Sequence, residues 1–157
     1  MPNSTEGWTL TPIATVSSPR TEAIDDDWGE IEATITLVPP YGPSSLFELD
    51  AFSHIEVIFL FDRVDAGSVH IEARVPRNNP AWPAVGIFAQ RAKNRPNRLG
   101  LCTCELVSVD GDTLTVRGLD AIDGTPVLDI KPYMAEFGPR GPTSQPTWSH
   151  ELMAKYY

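Results

Sequence analysis

The sequence lacks the features that would place a protein in a membrane, a secretory route or a metal-binding class. No apolar run reaches the ~18 residues that suggest a membrane-spanning helix. Residues 1–10 are polar, with no basic region followed by an apolar one, so we expect no signal peptide and a cytoplasmic protein. The two cysteines, Cys102 and Cys104, are then expected to be reduced. With three scattered histidines they fall short of a four-ligand zinc site, so we expect no metal.

Helical periodicity is also scarce, and 15 prolines interrupt the chain. One candidate is a single turn that Ser44 or Ser45 caps and that ends near Asp50. The other is a segment at 148–157, whose period is weak. Long helices are therefore not expected.

Alternation of apolar and polar residues with a period of two is the dominant pattern that is present. The segment 55–61 is apolar almost throughout and predicts a strand buried on both sides. Asp110-Gly111 lies between two strand-like runs and predicts a hairpin. The strand candidates are a first strand with Trp8, Leu10, Ala14 and Val16 on one face, alternating runs at 31–37 and 69–75, hairpin runs at 101–109 and 113–119, and a short run at 127–130.

These strands predict an all-β fold, a single small β-barrel of about seven to eight strands with few short helices. The length of 157 residues fits one domain. We expect the barrel over about 8–133 and a tail over 134–157.

Positive charge is concentrated in one segment of an otherwise acidic chain. The net charge is −9, yet residues 73–104 contain no Asp or Glu and six of the 12 Lys and Arg residues. Such a segment suits a phosphate, a carboxylate or a nucleic-acid backbone. It can equally pair with acidic side chains of the protein itself, and the charge pattern does not decide between the two.

Two segments carry side chains suited to chemistry. The first, 86–100, joins a strand-like start to a loop with four cations, two asparagines, a proline and a closing glycine. Since arginine offers a planar fork for carboxylate or phosphate, this loop is a candidate ligand clamp. The alternative is an ordinary basic surface hairpin.

The second segment, 120–133, combines a turn with a short strand. Asp123-Gly124 marks the turn, and Gly124 allows a ligand to approach the backbone closely. Asp129, Lys131 and Tyr133 are spaced two residues apart, so an extended strand places all three on one face. They form either a proton-handling cluster or a surface ion pair with a tyrosine beside it.

Together the two segments resemble the signature of the TsaA-like (TrmO) family. The family's stretches read approximately G-x-F-A-x-R-x-x-x-R-P-N-x-x-G and D-G-T-P-x-x-D-I-K-P-Y, and the chain carries both, at 86–100 and 123–133. Two weaker segments agree, an opening strand that ends in Ser18-Pro19 and a central Phe-Ser-His segment that contains His54. As a lone histidine at a strand entry, His54 is expected to be structural.

The resemblance implies a β-barrel methyltransferase that binds S-adenosylmethionine, forms homodimers and N6-methylates threonylcarbamoyl-adenosine in the tRNA anticodon loop. Two other functions stay open: an S-adenosylmethionine-binding sensor or partner module without turnover, and a small-molecule methyltransferase. Carried over by motif, the cofactor contacts fall on Pro19, Arg20, Thr21, Asp62, Arg63, Arg91, Leu101, Ile122, Asp123, Gly124 and Thr125.

Residue type and position suggest the remaining roles. A base such as Asp129 can accept a proton from the acceptor amine, while Lys131 and Tyr133 position the acceptor. The outer part of the basic loop, with Arg95, Asn97 and Arg98, is expected to meet the substrate first.

Overall fold

The structure, a computed structural model, describes residues 6–157 and is built almost entirely from antiparallel strands. Within that range eight strands and one α-helix form, besides short 3-10 helices. Six of the strands close into a barrel in the order β1-β2-β7-β6-β3-β8, which confirms the predicted all-β barrel. The elements are β1 Ala14–Ser17, β2 Glu32–Leu37, β3 His54–Leu60, β4 Ala73–Arg74, β5 Val85–Gly86, β6 Leu99–Asp110, β7 Thr113–Arg117, β8 Pro126–Pro132 and α1 Thr147–Met153.

Because side chains alternate along a strand, every second residue of each barrel strand points into the interior, and these residues are apolar. In β2 the inward residues Ala33, Ile35 and Leu37 are buried, while Thr34 and Thr36 face outward. The interior is filled by such residues from all six barrel strands, so it holds a packed core and no ligand channel. Gly100 is part of this packing, because an added Cβ would lie 2.4 Å from the buried Phe59 ring.

The predicted hairpin forms at Asp110-Gly111. The strands β6 and β7 pair from Asp110 with Thr113 onward, and Gly111 takes the left-handed φ of 60° that this tight turn requires. A register shift between Leu106 and Ser108 marks a bulge in the ladder.

The predicted strand at 69–75 is wrong except for its last part. Only Ala73–Arg74 is extended in a ladder, and it pairs with Val85–Gly86 in a separate two-stranded sheet. Both sides of β3 are already occupied by β6 and β8, so the barrel has no free edge beside it. Ile71, expected to face the core, is 75% exposed.

Other predictions needed smaller corrections. Trp8 and Leu10 are exposed, and the first strand begins at Ala14. The segment 55–61 gives β3, but its alternate residues are half-buried, since one face of a barrel strand points outward.

The predicted helices also differ in their bounds. The single turn is two 3-10 helices, Pro43–Leu46 and Leu49–Ala51, and Gly42 precedes the first with no side-chain cap. The helix at 148–157 is shorter, Thr147–Met153. Across residues 6–157, no helix has the length and apolar character needed to cross a membrane.

The barrel has two ends, which carry different connections. We call the upper rim the end where β1, β3 and β7 finish and β2, β6 and β8 begin, as the antiparallel registers require. The connections 18–31, 61–98 and 118–125 all leave from the upper rim. The hairpin at Gly111 and the 3-10 helices before β3 lie at the opposite, lower rim. Residues 155–157 return to the upper rim, where the main chain of Asp27 and Trp28 donates to them.

Candidate functional site

The sequence-predicted cofactor residues converge on one arc of the upper rim. They lie directly after β1, before β8, after β3 and near the start of β6. The strands β1, β8, β3 and β6 are consecutive neighbours in the barrel, so these positions are adjacent. Segments more than 100 residues apart in sequence are thereby brought into contact.

A first junction joins the loop after β1 to the turn before β8. The carboxylate of Asp123 accepts a hydrogen bond of 3.0 Å from the Ser18 amide, and the Asp123 amide donates to the Arg20 carbonyl at 2.8 Å. Gly124, at φ 82°, donates its amide to the Val16 carbonyl. Its left-handed backbone is the reason that glycine stands in this turn.

The neighbouring Thr125 fixes the turn from inside. It is 3% exposed, and its hydroxyl donates to the Ile122 carbonyl at 2.7 Å. Thr125 and the half-buried Ile122 therefore shape the turn, while Asp123 and Gly124 face the loop after β1.

Arg63 ties both segments to the end of β3. Its guanidinium donates to the Thr21 carbonyl at 2.8 Å and to the Asp123 carbonyl at 2.9 Å, across 42 and 60 residues of sequence. The planar fork of arginine satisfies two carbonyls at once, which a lysine ammonium does with less precise geometry. Asp62, beside it, is exposed.

Arg20 points into its own loop. Its guanidinium lies 3.9 Å from the centre of the Trp28 ring and donates to the carbonyls of Asp26 and Asp27 at 2.7 and 3.0 Å. Arg77 in turn forms an ion pair with Asp26, at 2.9 Å. Arg77 thus pairs with acidic side chains of the loop, while Arg20 holds its main chain. Pro19 at the base of the loop is exposed.

On the β6 side, Arg91 and Leu101 meet. A guanidinium nitrogen of Arg91 donates to the Leu101 carbonyl at 2.7 Å, and both side chains are exposed. The buried Gln90 anchors the start of this loop by donating to the carbonyls of Arg74 and Val85, each at 2.9 Å. Sequence reasoning missed Gln90, although it lies inside the first motif.

The predicted substrate residues lie in or directly before the 3-10 helix Pro96–Arg98 that precedes β6. Arg95 donates to the Gln90 carbonyl at 2.5 Å and Arg98 to the Val64 carbonyl at 2.6 Å, so both guanidinium groups hold the protein's own loops. Between them Asn97 is exposed, with a left-handed φ of 63°.

Of the predicted catalytic residues, Asp129 and Lys131 lie on the outer face of β8, and Tyr133 directly follows the strand, away from the upper rim. Asp129 stands in register with Ile58 of β3, which in turn pairs with Leu101 of β6, so these three form one row. Lys131 lies two rows lower, opposite Glu56. At ~3.3 Å per residue, Tyr133 is roughly 25 Å from Thr125, at the lower rim.

The carboxylate of Asp129 is fully engaged. Its Oδ2 forms an ion pair of 2.8 Å with Lys131, and its Oδ1 accepts from the Ile130 amide at 3.0 Å. The hydrogen bond to Asp129, with its charge, raises the pKa of Lys131, which therefore keeps its proton. In this geometry Asp129 and Lys131 form an exposed ion pair.

Two concave regions flank this surface. A groove of about 390 Å³ at the upper rim is lined by Ser17, Ser18, Pro19 and Asp123 together with outward residues of β2 and β7. A cavity of about 510 Å³ at the lower rim is mainly apolar, and Asp129 is the sequence-predicted residue that lines it. The upper-rim groove lies beside the converging segments and includes Asp123, so it is the better match to a nucleoside with a charged tail.

Residues of the tail that sequence reasoning did not single out complete the upper rim. The Tyr156 hydroxyl donates to the Asp120 carboxylate, and the Tyr157 hydroxyl lies 3.8 Å from the Cys102 sulfur. Burial, with the Asp120 charge, raises the pKa of Tyr156, and burial also raises that of Tyr157. The hydrogen bond with Cys104, with burial, raises the pKa of Cys102, so this thiol stays protonated. Nothing in the sequence signals these pairs.

In the part of the chain that the structure covers, no three His, Cys, Asp or Glu side chains are grouped so that they could hold a metal ion.

Known proteins show the same combination of sequence and fold. The family model described as "tRNA-methyltransferase O N-terminal domain" matches residues 16–138. A mouse protein named tRNA (adenine(37)-N6)-methyltransferase is 40% identical over 113 residues, which cover 71% of this chain and 25% of the mouse protein. This chain thus spans about a quarter of that relative.

Two further proteins match over larger shares. A protein of Methanothermobacter thermautotrophicus named "Probable S-adenosyl-L-methionine-binding protein" is 35% identical over 136 residues, covering 84% of this chain and 94% of its own. The crystal structure of TrmO from Pseudomonas aeruginosa has a TM-score of 0.71 at 27% identity, over 88% of this chain and 62% of that one.

Proposed function

This chain belongs to the tRNA-methyltransferase O N-terminal domain family, and on that premise we propose that it is an S-adenosylmethionine-dependent methyltransferase. Its cofactor would bind on the upper rim. The acceptor would be N6 of the threonylcarbamoyl-adenosine in a tRNA anticodon loop, in keeping with the mouse relative's name.

The observation that carries the proposal is the convergence of the predicted cofactor segments on neighbouring strand ends. Hydrogen bonds join the loop after β1 to Asp123, and Arg63 joins both to the end of β3. Because the barrel interior is packed with side chains, a nucleoside must bind outside it, and this rim presents a groove that Asp123 helps to line.

The donor set fits S-adenosylmethionine. Arg91 uses one terminal nitrogen for the Leu101 carbonyl, so its other N–H groups remain for the methionine carboxylate. Asp123, Asp62 and the backbone beside Gly124 supply acceptors for ribose hydroxyls and the ammonium group, and acidic groups suit a cationic ligand. When bound, S-adenosylmethionine supplies a methyl group on a positively charged sulfur, which is open to attack by an amine.

The residues on β8 would handle the acceptor. Asp129 is nearest to the rim, roughly 13 Å along the strand from Thr125, and it can take a proton only after it releases Lys131. Lys131, held in its charged form, would position a phosphate or carbonyl of the acceptor. Tyr133 would take part only with an acceptor that extends down the outer face toward the lower rim.

The basic loop would meet the RNA through its exposed groups. Since Arg95 and Arg98 donate to main-chain carbonyls, they would fix the loop, and the exposed Asn97 and Arg91 would face the acceptor and cofactor sides.

We also propose that the protein acts as a homodimer. A rim groove of about 390 Å³ on the outside of a packed barrel leaves a bound nucleoside open to water on one side. A second copy would provide the missing wall. Light scattering with cofactor present should give twice the chain mass, and a monomer mass under all conditions would refute this part.

A methyl-transfer assay tests the activity. Purified protein is incubated with S-adenosylmethionine carrying a tritiated methyl group, either with tRNA that lacks the methyl group or with a metabolite extract free of RNA. We expect label in the tRNA and at N6 of the modified adenosine. Calorimetry in parallel measures cofactor binding, expected near micromolar, which is about −8 kcal/mol.

The outcomes separate the competing functions. Label in the extract alone would identify a small-molecule methyltransferase. Saturable cofactor binding without transfer to either acceptor would favour a binding module, the activity named for the archaeal relative. No binding at about millimolar cofactor would overturn the proposal as a whole.

A further inference from the structure

The segment 147–157 lies beyond residues 16–138, which match the family, yet it contacts three of the segments that make the upper rim. These contacts differ in kind, since two use main-chain hydrogen bonds and the others use buried hydroxyls and close backbone packing. Helix α1 forms the first part of this segment. It is held to the loop between β4 and β5, because Trp82 donates its indole N–H to Glu151 at 2.8 Å.

The first contact fixes the far half of the loop after β1. The amides of Asp27 and Trp28 donate to the carbonyls of Lys155 and Tyr156, both at 2.8 Å. Trp28 is 3% exposed, and the Arg20 guanidinium stacks on its ring. A shift of Trp28 would therefore move Arg20, itself a predicted cofactor contact, together with its neighbours Pro19 and Thr21.

The second contact reaches the turn before β8. The Tyr156 hydroxyl donates to one carboxylate oxygen of Asp120, while the other oxygen, Oδ1, is buried and has no partner in the described residues. Asp120 precedes the cofactor turn at Ile122 by two residues. Among residues 6–157, Tyr156 is the side chain that donates to this carboxylate, and its main-chain carbonyl accepts from the loop across the rim.

The third contact is a close backbone approach. A Cβ added at Gly29 would lie 2.8 Å from the carbonyl carbon of Tyr157, a distance that side-chain atoms do not tolerate. Gly29 has no left-handed φ, so an alanine there is limited by the tail alone. The Tyr157 hydroxyl, 3.8 Å from the Cys102 sulfur, extends the docking to the start of β6.

From these contacts we infer that Tyr156 is a positioning residue of the cofactor site, and that the segment 155–157 holds the loop after β1 and the turn before β8 in their binding geometry. The inference rests on the proposed function. It adds a residue that the family match does not reach, and that acts on the cofactor through Trp28, Arg20 and Asp120 without touching it.

The test compares Tyr156→Phe and Gly29→Ala with wild type in the full chain. Tyr156→Phe removes one hydroxyl and keeps the ring. Gly29→Ala displaces the tail and leaves the Tyr156 side chain unchanged. Ile35→Val, in the barrel core away from the tail, is the control for a general loss of stability. Each variant is measured for cofactor affinity, for methyl transfer at saturating cofactor, for its urea midpoint, and for hydrogen exchange at the Asp27 and Trp28 amides.

We expect both test variants to weaken S-adenosylmethionine binding about fivefold to tenfold, the effect of one typical hydrogen bond, because each loosens the contact of the tail with the rim. The turnover rate at saturation should be nearly unchanged. Exchange at the Asp27 and Trp28 amides should quicken in both. Ile35→Val should lower the urea midpoint but leave affinity and these two amides as in wild type.

Two results would overturn the inference. If wild type binds the cofactor and both variants bind it equally well, the tail does not position the site, although the proposed function stands. If cofactor affinity follows the urea midpoint in all three variants, including Ile35→Val, then the loss of affinity reflects general destabilisation and the inference is wrong. A wild-type protein that binds no cofactor would overturn the proposed function and this inference with it.

Discussion

At the scale of single residues, arginine serves here mainly as a tie between distant backbone segments. Arg20, Arg63, Arg95 and Arg98 each donate to main-chain carbonyls, and Arg63 alone joins three of the connections at the upper rim. Five fixed donors in one plane allow a single side chain to satisfy carbonyls from different loops. Two of the cations in 73–104, Arg95 and Arg98, therefore stabilise the protein's own loops.

Replacing Arg63 should therefore affect cofactor binding through geometry. We expect Arg63→Ala to raise the S-adenosylmethionine Kd about tenfold, because the carbonyls of Thr21 and Asp123 lose their shared donor. Arg63→Lys should recover only part of the affinity, since one ammonium replaces a two-pronged fork.

Calorimetry measures both variants, with Arg140→Ala, an exposed arginine of the tail, as the matched control. Equal affinities for the alanine variant and wild type would show that the two carbonyls keep their positions without Arg63.

At the scale of elements, the basic loop 86–100 is an internally braced structure with few free cations. Gln90 anchors its start, Arg95 returns to the Gln90 carbonyl, and Arg98 crosses to Val64 after the end of β3. The Phe61 amide donates to the Arg98 carbonyl at 2.8 Å, so the loop and β3 are joined in both directions. These hydrogen bonds allow a polar loop to keep one conformation at the upper rim.

Two substitutions in this loop should separate structure from RNA contact. Arg98→Ala should lower the free energy of unfolding by about 1 kcal/mol through loss of its half-buried hydrogen bond. Lys93 is a half-buried cation of the same loop, two residues before Arg95. Lys93→Ala should leave stability unchanged, weaken tRNA binding and reduce its salt dependence by about one phosphate.

Urea unfolding and RNA binding at several salt concentrations provide the two measurements. If Lys93→Ala and Arg98→Ala lower stability equally, or if neither alters RNA binding, then the loop does not divide its residues in this way.

At the scale of the whole molecule, the tail and the barrel are joined through groups that must stay protonated. The pKa values of Cys102, Tyr156 and Tyr157 all lie above their ordinary values in the folded protein. In the unfolded chain these groups ionise near pH 8.5 for a thiol and about 10 for a phenol.

Stability should consequently decline on the alkaline side. Below about pH 8.5 both states are protonated and the full stability is present. As pH rises, the unfolded chain releases protons that the folded chain keeps, so the free energy of unfolding falls until the folded groups also titrate. Tyr156→Phe removes one such group and should make the decline shallower by about one proton per molecule.

Urea unfolding between neutral pH and about pH 11 checks the slope, and the ultraviolet absorbance of tyrosinate reports the ionisation itself. If the free energy of unfolding of Tyr156→Phe falls with pH as steeply as that of wild type, then the pKa of Tyr156 is not raised in the folded protein.

The sequence by itself determined the six barrel strands, the hairpin and the family. Alternation in β2 and the turn at Asp110-Gly111 depend on neighbours a few residues apart, and such local preferences hold wherever the strand is placed. The two motifs at 86–100 and 123–133 likewise predicted family membership, which the match over 16–138 confirms. The roles assigned to individual site residues stay predictions.

Only the tertiary structure decided which segments meet. The sequence at 69–75 alternates as well as β2 does, but a strand also needs an unoccupied edge, and β6 and β8 already cover both sides of β3. The barrel order β1-β8-β3-β6 brings the cofactor segments together, while Tyr156 and Asp120 pair across 36 residues. These contacts depend on strand order and on the path of the tail, and no local pattern encodes them, because the free energy that selects them comes from burying distant residues together.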